Sequence, residues 1–187
     1  MFVVLSGPTA VGKTSILKRI QEERKGKVSF PVSYTTRAPR PGENHQSYHF
    51  ISKEQFQMLI SNNELMEWTE RGASGLYGTS WAALEEVPSD LVLLDLDVAG
   101  AFAVRSRFPS KTCLVFVAPP PPEIQTIERR LRLRNDNMSE NEIRWRLEAA
   151  AHELKMSPNF DHVVVNDDLE KVVQQVLDII DSLIVSD

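Results

Sequence analysis

A short apolar run, Phe2-Val3-Val4-Leu5, leads into Gly7-Pro8-Thr9-Ala10-Val11-Gly12-Lys13-Thr14, and an apolar stripe at Ile16, Leu17 and Ile20 follows. No other feature of the chain constrains its fold as tightly. The run suits a buried parallel strand, and the stripe, at i, i+1 and i+4, marks a helix. The eight residues between them match G-x-x-x-x-G-K-[ST], in which every fixed position has a physical task around phosphates. Glycines let backbone N–H groups turn inward, the Lys13 ammonium reaches the β- and γ-phosphates, and the Thr14 hydroxyl can ligate Mg²⁺. The helix that follows points its positive dipole end at the same place. Strand, loop and helix together predict the first βα unit of an α/β sheet, with a nucleoside triphosphate held by residues 7–14.

The remaining chain continues that alternation. Val28 to Tyr34, Leu91 to Leu96, Thr112 to Ala118 and Asp161 to Val165 read as further strands. Helical patterns cover Thr14 to Glu23, Pro121 to Leu133, Glu140 to Lys155 and Asp168 to Ile184, the last with Asp167 or Asp168 as its cap. The order predicts a parallel sheet with helices on both faces, a three-layer α/β core. Two stretches interrupt it. One, residues 33–88, is rich in Tyr, Thr, Gly and Pro, with short strand-like pieces and a helix near Lys53 to Ile60. The other, residues 134–141, is polar and bracketed by arginines. The expected organisation is a single domain over 1–187, with a core of 1–32, 89–133 and 142–187, an inserted mixed α/β lobe at 33–88 and a lid at 134–141.

Charge and cysteine content narrow the setting. A net charge of −5 argues against nucleic-acid binding and against attachment to anionic membranes. No apolar run approaches membrane-spanning length, and Met1 to Leu5 is too short for a secretory leader. The single Cys113 lies in an apolar strand, so a buried inert thiol in a reducing compartment is expected, and the cytoplasm is the default location. His45, His49, His152 and His162 show no metal-ligand spacing. A monomer or a homodimer is compatible with the sequence.

Three further groups carry candidate chemistry. In Ser33-Tyr34-Thr35-Thr36-Arg37-Ala38-Pro39-Arg40-Pro41-Gly42-Glu43, two arginines three apart sit beside prolines that restrict the backbone. Arg37 and Arg40 form a fork able to take a second phosphate, because guanidinium pairs phosphate oxygens in bidentate fashion. Tyr48 and Tyr77 could add hydroxyl donors; a solvated basic turn paired with Glu43 is the alternative. Asp95 and Asp97, two apart at the end of an apolar strand, point to one face at the carboxyl edge of the sheet, where ligands bind in open α/β folds. Capping of a helix beginning near Ala99 is the competing role. Six arginines, Arg129, Arg130, Arg132, Arg134, Arg144 and Arg146, flank the second insertion, with Arg130 and Arg134 on one helix face.

The chain resembles guanylate kinases, nucleoside monophosphate kinases that phosphorylate GMP. The resemblance runs in order through the loop Gly7 to Thr14, S-Y-T-T-R-A-P-R-P-G-E at 33–43, Y-H-F-I-S at 48–52 and E-L-M-E-W at 64–68. It continues through Y-G-T-S at 77–80, L-L-D-L-D at 93–97 and V-N-D-D-L at 165–169. It implies that Arg37, Arg40, Glu43, Tyr48 and Tyr77 belong to the GMP site, most of them at its phosphate, and that Ser33, Glu67, Thr79 and Asp97 recognise guanine. A carboxylate suits guanine, which presents N1–H and N2–H donors side by side where adenine does not. The resemblance also implies that Arg130, Arg134 and Arg146 close over the triphosphate, and that Asn166 and Asp167 meet the adenine edge, with a plain helix cap as the alternative there. Lys13, Arg37, Arg130, Arg134 and Arg146 are then the catalytic candidates. Asp95 is assigned to Mg²⁺ with Thr14, and Asp97 to the guanine amino group, though the two aspartates could exchange roles. The implied reaction transfers the γ-phosphoryl group of Mg·ATP in line to GMP or dGMP, by positioning and charge stabilisation.

Three positions depart from the family pattern. Ala10 stands where glycine is usual, tolerable if its φ is negative. Ala99 replaces a usual glutamine, and the segment Glu43 to Tyr48 is one residue short. Two rival readings are a scaffold module that binds phosphopeptides without catalysis and a kinase of ribose phosphates. Lys13 speaks against the first; Ser33, Glu67 and Thr79 speak against the second.

Overall fold

The structure, a computed structural model, describes residues 1–24, 28–39, 48–70, 75–85, 91–133 and 138–184. In chain order its elements are β1 (Phe2–Ser6), α1 (Lys13–Glu23), β2 (Ser33–Thr35), β3 (Tyr48–Phe50), α2 (Lys53–Ser61), β4 (Leu65–Glu70) and β5 (Leu76–Ser80). After these come α3 (Trp81–Glu85), β6 (Val92–Asp95), α4 (Val98–Arg107), β7 (Thr112–Ala118), α5 (Glu123–Leu133), α6 (Glu140–Lys155), β8 (His162–Val165) and α7 (Leu169–Ile184).

The central sheet runs β6-β1-β7-β8 and every pairing in it is parallel. Its strands are apolar on both faces because helices cover both. On one face Val3, Leu5, Leu93, Val115 and Val117 pack with Ile16 and Ile20 of α1 and with the stripe Val172, Val176 and Ile180 of α7. On the other, Val4, Leu94, Leu114 and Phe116 meet Ala101 and Val104 of α4, together with Met66 and Phe160. The alternation of Val3, Val4 and Leu5 between the faces is the period of two that a strand imposes. Five buried side chains of α7 contribute about 2 kcal/mol each to holding that helix on the sheet. The result is the three-layer α/β core that the sequence predicts. Cys113 is buried within it, and burial is the main cause that pushes its thiol up to about 11. No helix among the described residues is long and apolar enough to cross a membrane.

A second, mixed sheet with the order β3-β2-β5-β4 is built entirely from the chain between Ser33 and Ser80. β5 is antiparallel to both β2 and β4, and β3 is parallel to β2. Ser52 starts α2 with a reciprocal capping box: its hydroxyl accepts from Gln55 N at 3.2 Å while its own N–H donates to Gln55 Oε1 at 2.9 Å.

One reading of the sequence is corrected here and another is extended. The strand expected over Val28 to Tyr34 is split. Ser29 makes a single parallel bridge to Val92 at the edge of the central sheet, and Ser33–Thr35 then enters the second sheet. Pro31 explains the break, since it has no N–H to give to a ladder and restricts the residue before it. The helix α4 was visible only as a capping possibility near Ala99. Its segment Val-Ala-Gly-Ala-Phe-Ala-Val is apolar nearly all round, so no 3.6-residue contrast marks it.

Candidate active site

The loop between β1 and α1 is shaped by what surrounds its glycines. Gly7 has φ 140, and a Cβ there would lie 2.3 Å from the Val117 carbonyl oxygen of the neighbouring strand. Gly12 has φ 95, and a Cβ there would lie 2.4 Å from Asn166 Nδ2. Both are positions where only glycine fits. Gly12 caps α1 with no side-chain hydrogen bond, and the helix has no acidic residue in its first turn, so its positive end is not neutralised locally. Lys13 Nζ curls back to donate to the Gly7 carbonyl at 2.5 Å, which holds the ammonium inside the loop. Thr14 is exposed on the first turn of α1.

Ala10 departs from expectation. Its φ is 59, in the left-handed region, and not the negative value that would make its methyl comfortable. The methyl is nonetheless buried, in a small cluster with Ile127 and Leu131 of α5 and Ala150 of α6.

On the far side of the loop, Asn166 is buried and donates from Nδ2 to the Val11 carbonyl at 2.6 Å. Arg130 donates from Nη1 to the same carbonyl at 3.3 Å and from Nη2 to the Asn166 carbonyl at 2.8 Å. Burial, with the adjacent Arg129 charge, lowers the Arg130 guanidinium from its ordinary value. These residues line a cavity of about 340 Å³ with Gly12, Ser15, Leu133 and Leu169. Asn166 is therefore a latch on the loop and not a helix cap. Asp168 caps α7, accepting from Lys171 N at 3.0 Å, and Asp167 is exposed beside it.

The second sheet gathers the other predicted group. Glu67 and Thr79 are directly opposite each other on β4 and β5. Thr79 donates its hydroxyl to Glu67 Oε1 at 2.9 Å, and Ser33 Oγ of β2 lies 2.9 Å from Thr79 Oγ1. Tyr77 points to the same face of β5 two residues earlier, roughly 6.6 Å along the strand. Its hydroxyl accepts from Arg37 Nε at 3.1 Å. The Arg37 guanidinium also lies 5.5 Å from the Tyr48 ring centroid and 5.4 Å from that of Phe50. A carboxylate-hydroxyl end and a guanidinium-phenol end thus share one face of the second sheet.

The first turn of α4 joins this surface to the core. Asp97 caps the helix, its Oδ1 accepting from Gly100 N at 2.7 Å. The backbone of Gly100 lies against the Glu67 side chain, since a Cβ built there would sit 3.0 Å from Glu67 Cγ. Capping and proximity to Glu67 therefore coexist at Asp97. Asp95, exposed at the end of β6, pairs in register with Leu5, two residues before the phosphate loop.

Some predicted residues are not brought to this site. Arg146 is held by Glu142 on its own helix, at 3.2 and 2.8 Å. Arg40, Glu43 and Arg134 lie outside the described residues, as do residues 134–137 of the expected lid. Arg132 is exposed and bridges α5 to α6, with two hydrogen bonds to Glu140 and two to Glu128. The sequence also gave no notice of Glu153 on α6. Burial raises its carboxyl from the ordinary value, Lys13 opposes that rise and Asp97 adds to it, so the two site groups are close enough to act on it. Its place in the amphipathic pattern of α6 looks like any surface glutamate.

No cluster of three or more His, Cys, Asp or Glu suited to a metal occurs among the described residues. The oxygen donors Thr14 and Asp95, both exposed at the loop edge of the sheet, suit a hard cation that keeps several waters and is held mainly by substrate phosphates.

A family model described as guanylate kinase matches residues 1–183. The guanylate kinase of Schizosaccharomyces pombe is 40% identical over 179 residues, covering 92% of this chain and 86% of that protein. The guanylate kinase of Synechocystis is 38% identical over 181 residues, covering 95% and 92%. Among solved structures, guanylate kinase from Anaplasma phagocytophilum matches with a TM-score of 0.71 at 27% identity, over 97% of this chain and 84% of that one. A shikimate kinase from Bacteroides thetaiotaomicron matches with a TM-score of 0.56 at 13% identity, over 97% and 98%, a likeness of fold alone.

Proposed function

The chain belongs to the guanylate kinase family, and from that premise we propose that it moves the γ-phosphoryl group of ATP to GMP, giving ADP and GDP, with dGMP as a second acceptor. The observation that carries the reading is the shared face of the second sheet. Ser33, Thr79 and Glu67 form a hydrogen-bonded chain at one end, and Arg37 and Tyr77 are joined at the other.

The Glu67 carboxylate, held by the Thr79 hydroxyl, accepts from the guanine N1–H and N2–H pair, and the Ser33 hydroxyl turns from Thr79 to donate to O6 when the base binds. Facing adenine, Glu67 would be left poorly paired, a penalty of about 2 kcal/mol or more. Arg37, with Tyr48 and Tyr77 and with Arg40 from the adjoining segment, takes the GMP phosphate, and Glu43 belongs to the same GMP site. ATP occupies residues 7–14, with its base in the cavity beside Asn166, Asp167 and Arg130. An oxygen of the GMP phosphate, already ionised, forms a new bond to the γ-phosphorus while the bond to the β,γ-bridging oxygen breaks. The electron pair leaves on ADP, and no covalent enzyme intermediate or proton transfer is needed. Lys13, with Arg37, Arg130 and Arg134, neutralises charge on the transferring group, and Arg146 would join them on leaving Glu142. Thr14 and Asp95 would hold Mg²⁺, which supplies charge neutralisation between the β- and γ-phosphates. The lone buried Cys113 supports a cytoplasmic setting, the negative net charge supports the absence of a nucleic-acid partner, and we assign the chain as a monomer or homodimer.

The test is ADP release from Mg·ATP with GMP, dGMP, AMP, UMP, CMP and ribose phosphates offered separately. Turnover confined to GMP and dGMP is expected. Turnover with ribose phosphates alone would overturn the acceptor, and GMP binding without turnover would make the chain a binding module.

A further inference from the structure

Gly100 is a glycine that its own backbone does not require. It lies in the first turn of α4 with no left-handed φ, a position where alanine would favour the helix by about 1 kcal/mol. Its neighbours supply the reason. A Cβ at Gly100 would lie 3.0 Å from Glu67 Cγ, 3.1 Å from Glu67 Cβ and 3.3 Å from Asp97 Oδ1. Its N–H, meanwhile, donates to that same Asp97 oxygen at 2.7 Å. One residue of the core therefore meets both acidic side chains, the Asp97 carboxylate through its amide and the Glu67 stem through the space where a side chain would stand.

The Glu67 backbone is closely packed as well, on the opposite face of β5. A Cβ at Gly78 would lie 2.8 Å from the Glu67 carbonyl oxygen and 3.0 Å from Trp68 Cβ, so β4 and β5 are already in close contact there. A group pressing from α4 on the Glu67 side chain would displace its carboxylate from Thr79 Oγ1, which fixes it at 2.9 Å.

We propose that Gly100 is a specificity-determining positioning residue, whose missing side chain lets Glu67 stand at the angle that reads the two donors of guanine. The proposal rests on the assignment of Glu67 as the guanine reader. It goes beyond that assignment, and beyond the expected contact of Asp97 with the guanine amino group, by making a backbone position of the core helix set the angle of a side chain from the second sheet.

The test compares GMP with IMP, which keeps N1–H and O6 but lacks the 2-amino group, in four proteins: wild type, Gly100→Ala, Glu67→Ala and the double variant. Gly100→Ala should raise KM for GMP about tenfold, leave kcat and KM for ATP within about twofold, and lower the preference for GMP over IMP by a similar factor. In the Glu67→Ala background the same substitution should change the GMP/IMP preference by no more than about twofold, because the carboxylate it displaces is gone. Equal effects of Gly100→Ala in both backgrounds, or an unchanged GMP/IMP preference, would overturn the proposal and leave the base-reading assignment intact. A Glu67→Ala protein that keeps the wild-type preference would refute the base-reading assignment itself, and the proposal with it. Should Gly100→Ala fold poorly, melting temperatures decide: adding Glu67→Ala removes the 3.0 Å contact and should raise its melting point, and no recovery would overturn the proposal.

Discussion

The Thr79 hydroxyl points its one hydrogen at Glu67 Oε1, 2.9 Å away, so Ser33 must be the donor in the 2.9 Å contact between the two hydroxyls. The carboxylate is thereby fixed by a chain of two hydroxyls from two other strands. Glu67→Gln keeps the size but replaces one oxygen by an NH₂ group that would face the guanine donors. KM for GMP should rise about 30- to 100-fold while KM for ATP stays within about twofold. Steady-state kinetics with each nucleotide varied in turn checks this, and equal losses for both would remove Glu67 from base recognition.

Lys13 is the group whose removal should separate chemistry from acceptor binding. Its ammonium is held within the loop by the Gly7 carbonyl, at the start of α1 and far in sequence from the Arg37–Tyr77 pair of the second sheet. Lys13→Ala should lower kcat by about 10³-fold or more, the scale expected when a charge aimed at the transition state is lost. Calorimetric affinity for GMP should stay close to wild type. A kcat within tenfold of wild type would take the loop lysine out of the mechanism.

Ala10 sets two effects of similar size against each other. Its left-handed backbone costs about 1–2 kcal/mol that glycine would avoid. Its buried methyl, against Ile127, Leu131 and Ala150, gains about 0.8 kcal/mol, and glycine would add about 0.5–1 kcal/mol of unfolded-state entropy. The balance is close to zero, which explains how alanine can stand where the family prefers glycine. Ala10→Gly should shift the melting temperature by no more than about 4 °C, as calorimetry would show. A much larger rise would mean that the methyl contributes nothing to the cluster.

Much of this site was legible because its signals are local. The loop from Gly7 to Thr14 declares itself by spacing, and the motifs around Arg37, Glu67, Tyr77 and Thr79 carry the family resemblance in short runs. The central strands were readable as apolar segments, except where Pro31 splits one of them. The sign of φ at Ala10 was not legible, since it depends on how the loop meets α5 and α6. Nor was the pairing of Arg146 with Glu142, because a helix places an arginine near several partners at once. Gly100 and Glu153 were hidden for a related reason: each matters through residues distant in the chain, Glu67 for one and Lys13 and Asp97 for the other.

Glu153 gives the last prediction. Burial raises its carboxyl from the ordinary 4.5, only partly offset by Lys13 and reinforced by Asp97. The folded chain therefore holds this proton more tightly than the unfolded chain does. The stability this group contributes is fully present below about pH 4.5 and is lost as pH rises through the folded value. Glu153→Gln fixes the neutral form at every pH. The variant should melt near the wild-type temperature at about pH 4 and above it at pH 7, with the gap opening across the interval between the two carboxyl values. A variant less stable than wild type at pH 7 would mean that attraction to Lys13 outweighs burial, and that the carboxylate is held charged beside the phosphate loop.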